Sequence, residues 1–414
     1  MKKKEVISWA GYDFANTIFS MNVVSRYFPI FAINVLGGSD LLVGVARSAA
    51  MVLVAFTMPA LGVIADQRNK RKGPMVLFTV ACCLITALLG VANNLFFALA
   101  CFCLSIYCYE GALVYYNALL PAVAPPDKLG YVSGLGVSLG YVGSITGLFM
   151  VSVSNSFINM PYIWTAILFL VFSLPTFIWV KDYRKNSSST ISGQVDSTYR
   201  KGLVASLKRA AKTPGMIRLL LGRFFVIEAM ETVILFMAVF LINAARFNGI
   251  DKNRFGLDEV TLYLMTVTFC TVIGSYVWGL LAQRFGSKTM LLWAVALWLV
   301  ALAGIIIFKN KLLYYLWGSV AGTALGGVWT TERPLLIHLV GDNQKLGEYF
   351  GLYALSGRLA AVAGPIIWGL VTYFASPLGV LKYRLAILAL FIMMVFGMII
   401  LWRVPDARYK PNKI

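Results

Sequence analysis

The stretch RFFVIEAMETVILF, residues 223–236, sets two carboxylates, Glu228 and Glu231, inside an otherwise apolar run. A charged side chain at the centre of a bilayer costs about 3 kcal/mol on insertion scales. Three residues apart on a helix, both acids can face one cavity. A bound proton or a solute ammonium group would answer the cost, and so would internal ion pairing. Arg223 is eight residues before Glu231 and roughly on its face, but about 12 Å away along the axis. It cannot neutralise both.

Other polar residues in apolar runs raise the same question. Tyr107, Glu110 and Asn117 fall on one helical face; a buried Glu110 either takes up a proton or pairs with an interior arginine. Asp13, Asn16, Thr17 and Ser20 share a face with Val24 and Tyr27. Such a stripe meets protein or water, not lipid, and solute contact and interhelical hydrogen bonding are equal readings for it. Glu332 and Arg333 are adjacent, point about 100° apart and cannot simply neutralise each other. Trp329, one turn earlier, can pack on either. Arg358 suits an anionic solute group or a structural ion pair. Arg26 and Arg47 lie in the outer parts of their spans and can snorkel to the interface.

These residues are carried by membrane-spanning elements. The 414 residues are 59% hydrophobic and 13% charged, with a mean hydropathy of +0.78; soluble chains are about 25% charged. A spanning helix needs about 20 mostly apolar residues. Twelve such runs are read at 8–36, 41–65, 74–93, 95–120, 130–155, 160–180, 215–245, 259–283, 289–308, 312–340, 347–376 and 382–403. The fold class is all-α, a polytopic membrane protein of two six-helix bundles. The start, MKKKEV, runs straight into a polar-studded helix with no cleavable leader pattern.

Charge placement orients the chain. Lys2 to Lys4, Arg68 to Lys72, the basic residues of 181–212 and those after Arg403 all fall on one side, while the opposite loops 37–40, 94 and 156–159 carry no Lys or Arg. The second half is noisier. By the positive-inside rule both termini are expected in the cytoplasm of a cell (inner) membrane, and the net charge of +19 is not a nucleic-acid signal. The domain reading is 1–180, a cytoplasmic linker 181–213, and 214–414. The linker contains SSSTISGQVDS, a flexible composition, then YRKGLVASLKRAAK, a basic amphipathic piece suited to the membrane surface and anionic lipid.

An internal repeat relates the halves. GLLAQRFGSK at Gly279 follows GVIADQRNKR at Gly62 by 217 residues, and Gly351, Gly357 and Gly364 follow Gly134, Gly140 and Gly147 by the same 217. The favoured role of these glycines is close helix packing. Repeated halves place a solute between them near mid-membrane, exposed to alternate sides. The pattern Gly62-x-x-x-Asp66-x-Arg68-x-x-Arg71-Lys72 resembles the loop 2–3 signature of the major facilitator superfamily. It departs at Gln67, where a basic residue is usual, and at Asn69, where glycine is usual; the second copy has Gln283 in place of the acid. The resemblance implies a gating role for Gly62, Asp66, Arg68 and Arg71, with orientation by charge as the other reading for the basic residues. SWAGYDFANTIF, YYNALLP, SGLGVSLGYVG and YFGLYALSGRLAAVAGP are similar to the branch holding the fungal vacuolar, autophagy-related amino-acid effluxers and their bacterial relatives. Span ten departs from it with WTTERP at 329–334, where a serine-rich stretch is expected.

The expected function is secondary transport of a small polar solute by alternating access, coupled to protons. The resemblance implies amino acids or short peptide-like compounds. The expected solute and proton residues are Asp13, Asn16, Glu110, Asn117, Glu228, Glu231, Trp329, Glu332, Arg333 and Arg358. A lipid or lysolipid flippase on the same fold is the alternative. An enzyme or a sensor ranks lower: there is one histidine, His338, no nucleophile–base set and no sizeable output domain. No G-x-x-x-x-G-K-[ST] loop is present. The six cysteines show no zinc spacing. No cofactor, metal or nucleic acid is expected; the partners are solute, protons and membrane lipids, and the chain is expected to be a monomer.

Overall fold

The computed structural model describes residues 3–68, 71–124, 129–154, 160–181, 207–249, 251, 256–340 and 346–405. Among them, twelve long helices and no strands occur. They are α1 (Lys3–Val35), α2 (Asp40–Arg68), α3 (Lys72–Leu89), α4 (Leu95–Ala118), α5 (Leu129–Ser154), α6 (Met160–Trp179), α7 (Met216–Asn243), α8 (Glu259–Phe285), α9 (Ser287–Ile307), α10 (Lys311–Val340), α11 (Leu346–Phe374) and α12 (Leu381–Trp402). Eleven are long and apolar enough to cross a membrane; the other, α10, is thirty residues long and carries Glu332, Arg333 and His338. Large apolar side chains such as Phe56, Leu77 and Phe396 are exposed, as a lipid-facing surface requires.

The helices fall into two compact units. One comprises Met1–Val195, Leu235–Ile242 and Asn248–Met265, the other Asp196–Ile234, Asn243–Phe247 and Thr266–Ile414. The segment 248–265 thus clusters with the first helices.

In the first unit α1 packs on α5 along a row of small residues. A Cβ at Gly143 would run into the Phe14 backbone, and one at Gly147 would lie 2.9 Å from Ile18. Only a missing side chain lets the backbones come this close. Gly134 on the same helix faces open space, so the packing role does not extend to it. Trp9 stacks on Tyr116 with centroids 4.5 Å apart and donates to the Tyr116 carbonyl. The helix α1 is not regular: Ser20–Tyr27 and Phe31–Val35 are π-helical. Their i→i+5 bonding widens the turn, so the face shared by Asp13, Asn16, Thr17 and Ser20 does not continue unbroken to Tyr27.

In the second unit α8 and α10 approach at Gly322, whose Cβ would strike the Val267 carbonyl, and at Gly326, 2.5 Å from the Thr271 carbonyl. Residues 207–212 form a further helical piece with Lys208, Arg209 and Lys212 exposed; the linker residues 182–206 lie outside the described residues.

Candidate functional site

Three helices of the second unit bring charge together in their apolar interiors. Arg223 of α7 donates from Nε to Glu332 Oε2 of α10 at 2.9 Å. Tyr353 of α11 donates its hydroxyl to Glu332 Oε1. The guanidinium lies over the Tyr353 ring, Cζ 3.7 Å from its centroid, and Nη1 donates to the Tyr353 carbonyl at 3.2 Å. The side chains are 10% and 6% exposed at Arg223 and Glu332. Arginine suits this geometry: its planar group stacks on an aromatic face while its edge donates. Gly357 is part of the arrangement, since a Cβ there would stand 2.7 Å from Arg223 Nη1.

Further along α7, Glu228 is fully buried and accepts from the backbone N–H of Gly364. A Cβ at Gly364 would meet Thr232 Oγ1 and lie 2.7 Å from Glu228 Oε1. Gly357 and Gly364 are seven residues apart and occupy one face of α11. On this face glycine seats the polar side chains of α7. Pro365 follows within the helix and cannot donate to the preceding turn, so α11 has an interrupted ladder where the carboxylate binds it. Glu231 is half-buried.

The remaining candidates of this unit separate. Glu332 is buried while its neighbour Arg333 is exposed, as their angular offset requires. Trp329 is 38% exposed, and Arg358 is half-buried.

In the first unit Asp13 lies against α5. Asn16 donates to its Oδ1 at 3.1 Å, and a Cβ at Gly136 would collide with its Oδ2. Thr17 donates to the Gly140 carbonyl at 2.6 Å, and Tyr109 reaches Asn16 Oδ1 at 3.5 Å. The α1 stripe is therefore engaged with α4 and α5. Glu110 is half-buried and Asn117 exposed; Tyr107 accepts from Thr57 of α2 at 3.1 Å. Among the expected gating residues, Arg71 donates to the Ala118 carbonyl at 2.5 Å, a cation at the negative end of α4. The surroundings of Gly62 and the side chains of Asp66 and Arg68 lie outside what the structure describes.

Sequence reasoning missed Arg223 as the partner of Glu332, and missed Tyr353. The pair spans 109 residues, so no local spacing signals it; an arginine and a glutamate unexplained in separate apolar runs were the available hint. Among the described residues no group of three or more His, Cys, Asp or Glu could hold a metal.

Comparison with known proteins agrees with this architecture. The family model described as "Vacuole effluxer Atg22 like" matches residues 41–413. An uncharacterised MFS-type transporter, YxiO of Bacillus subtilis, is 26% identical, covering 97% of this chain and 95% of its own. Autophagy-related protein 22 of Kluyveromyces lactis is 22% identical over 59% of this chain and 53% of its own. Among solved structures, a mutant of the nucleoside transporter NupG superposes with a TM-score of 0.77 at 14% identity, covering 97% of this chain and 99% of that one. A bacterial homologue of the human lysosomal transporter Spinster gives 0.75 at 14% identity, with both chains fully covered. The chain belongs to the Atg22-like family and has the major facilitator fold; it is a membrane transporter and not an enzyme.

Proposed function

We propose that this member of the Atg22-like family is a proton-coupled secondary transporter of a small polar solute, working by alternating access. Amino acids and short peptide-like compounds are the first class to test, from the effluxer branch the sequence resembles. The observation that carries the reading is the Arg223–Glu332–Tyr353 cluster: a carboxylate held inside apolar helices by a cation and a hydroxyl on two others. Charge in such a place is costly and marks a solute or proton path. Glu228 is a second buried acid on the same helix α7. Proton coupling is assigned to Glu332 and Glu228, and solute contact to Arg223. By the positive-inside rule, the basic residues at the chain ends and in 207–212 support a cytoplasmic location for both termini.

The test has two stages. Thermal shifts of the purified protein against amino acids, peptides, nucleosides, sugars and lysolipids at two pH values identify the solute. Proteoliposomes then measure its flux under an imposed pH gradient. Glu332→Gln and Glu228→Gln are expected to suppress gradient-driven flux by about ten-fold or more while solute counterflow persists. Wild-type pH dependence in both variants rules out the coupling role. A shift with lysolipids alone replaces the reading by a flippase.

A further inference from the structure

Charge-directed orientation does not account for one group of basic residues in the second unit. On the proposed orientation Arg246, Lys309, Lys311, Lys382 and Arg384 fall at the outer membrane surface, where the positive-inside rule gives them no role. The structure gathers them at one edge. Arg384 of α12 donates from Nη1 to the Ile306 carbonyl and from Nη2 to the Phe308 carbonyl at 3.1 Å, at the C-terminus of α9. Its Nη2 also donates to the Tyr314 hydroxyl of α10 at 2.7 Å. Phe247 packs on Tyr314 and Tyr315, with ring centroids 6.3 and 5.6 Å apart, and Lys311 Nζ lies 5.4 Å from the centre of the Phe247 ring. Arg246, just past the end of α7, is exposed with φ +57°. Asn243 of α7 donates to the Tyr383 hydroxyl at 3.2 Å, and Lys382 Nζ lies 4.9 Å over the Tyr383 ring. The ends of α7, α9, α10 and α12 thus share one surface.

We propose that this edge binds the headgroup of an anionic phospholipid through Lys309, Lys311 and Lys382. Arg384 is not one of the ligands. Its guanidinium is engaged with the carbonyls that end α9, where a cation offsets the negative end of the helix. That leaves the start of α10 as the exposed pole beside it, and a helix start favours phosphate. Asn310 caps α10 by accepting from the Leu312 N–H at 2.8 Å, and Lys309 and Lys311, both exposed, flank the cap. The segments 243–247, 300–320 and 370–390 contain no Asp or Glu, so no carboxylate within them competes for the lysines. A free anion would need only the cations; the apolar neighbours point to lipid. Ile307, Leu312 and Leu316 are 67%, 75% and 51% exposed around the first two lysines, and Leu378 and Leu381 are exposed around Lys382. Cations at the surface, aromatic rings at their level and exposed aliphatic side chains along the same helices match a headgroup above its acyl chains. Snorkelling brings any single lysine to the interface, but it does not gather them from separate helices on one edge without acids.

The inference takes its leaflet from the proposed orientation, and its test uses no solute, so it and the transport reading fail separately. The full chain is placed in phosphatidylcholine nanodiscs doped with a photoactivatable phosphatidylglycerol, and the adducts are mapped by peptide mass spectrometry. Adducts are expected on peptides spanning Ile307–Leu316 and Leu378–Lys382. Lys309→Gln, Lys311→Gln and Lys382→Gln together are expected to lower them about ten-fold or more and to leave any adducts on 207–212 unchanged. Lys309→Arg, Lys311→Arg and Lys382→Arg together, which keep the charge, are expected to retain the labelling. A photoactivatable phosphatidylcholine is expected to label without dependence on the three lysines. Inorganic phosphate, compared with chloride at equal ionic strength, is expected to leave the labelling intact. Labelling that ignores the glutamine triple variant overturns the proposal, as does an equal loss in the arginine variant or an equal lysine dependence for phosphatidylcholine. Displacement by phosphate overturns it too and marks a site for a free anion.

Discussion

Glu332 shows how one residue acquires a role through its partners. Alone in α10 it would be an uncompensated buried charge; Arg223 and Tyr353 satisfy both of its oxygens. Removing one member of a buried pair typically destabilises by about 3–5 kcal/mol, whereas replacing both by apolar residues can be neutral. Arg223→Ala is therefore expected to lower the unfolding free energy in detergent by that amount. Arg223→Met with Glu332→Met is expected to recover most of it and still not transport. If the double variant melts no higher than Arg223→Ala, the pair is not the source of the loss. Tyr353→Phe removes one hydrogen bond to a charged group and is expected to cost about 1.5–3 kcal/mol, read by the same melts. The presence of acids in apolar runs was legible from residue type. Which acid meets which arginine was not, because neighbours in sequence, Glu332 and Arg333, turn to different surroundings.

At the level of elements, glycines of α5 and α11 receive different neighbours. On α5, Gly143 and Gly147 take the backbone and apolar flank of α1, while Gly136 takes the Asp13 carboxylate; on α11, Gly357 and Gly364 take the polar side chains of α7. The repeat of 217 residues identified Gly147, Gly357 and Gly364 and a packing role for them, but not what each receives. A Cβ at Gly357 or Gly364 has no room without moving a charged partner. Gly357→Ala and Gly364→Ala are expected to destabilise by about 1–3 kcal/mol and to impair transport. Gly134→Ala, facing open space on α5, is expected to be neutral or to stabilise by up to about 1 kcal/mol, since alanine is the better helix former. Thermal unfolding of the three variants side by side decides it; equal losses at all three positions would contradict the seating role. The π-helical stretches of α1 carry no such signature, because the intrinsic propensities of SMNVVSRY do not separate i→i+4 from i→i+5 bonding. Spacing at 100° per residue therefore placed Asp13 and Asn16 on one face correctly and carried the stripe too far toward Tyr27.

For the whole molecule, twelve long helices among the described residues, a repeated pattern and segregated charge support the proposal that both ends are cytoplasmic. Reporter fusions are expected to show it: a fluorescent protein at either terminus fluoresces, and a periplasmic phosphatase fused there stays inactive. Phosphatase activity at one end only would require an odd number of crossings. The all-helical transmembrane class, the length of the spans and the internal repeat were determined by the sequence by itself, because hydrophobicity and its period act locally and uniformly along the chain. The tertiary structure alone decided the pairing of Arg223 with Glu332, the docking of Glu228 on Gly364, and the grouping of 248–265 with the first helices through Arg26 and Asp258. Each joins residues more than a hundred positions apart. Such contacts depend on which helix faces which, and on where a glycine leaves space, quantities that no local pattern of residues contains.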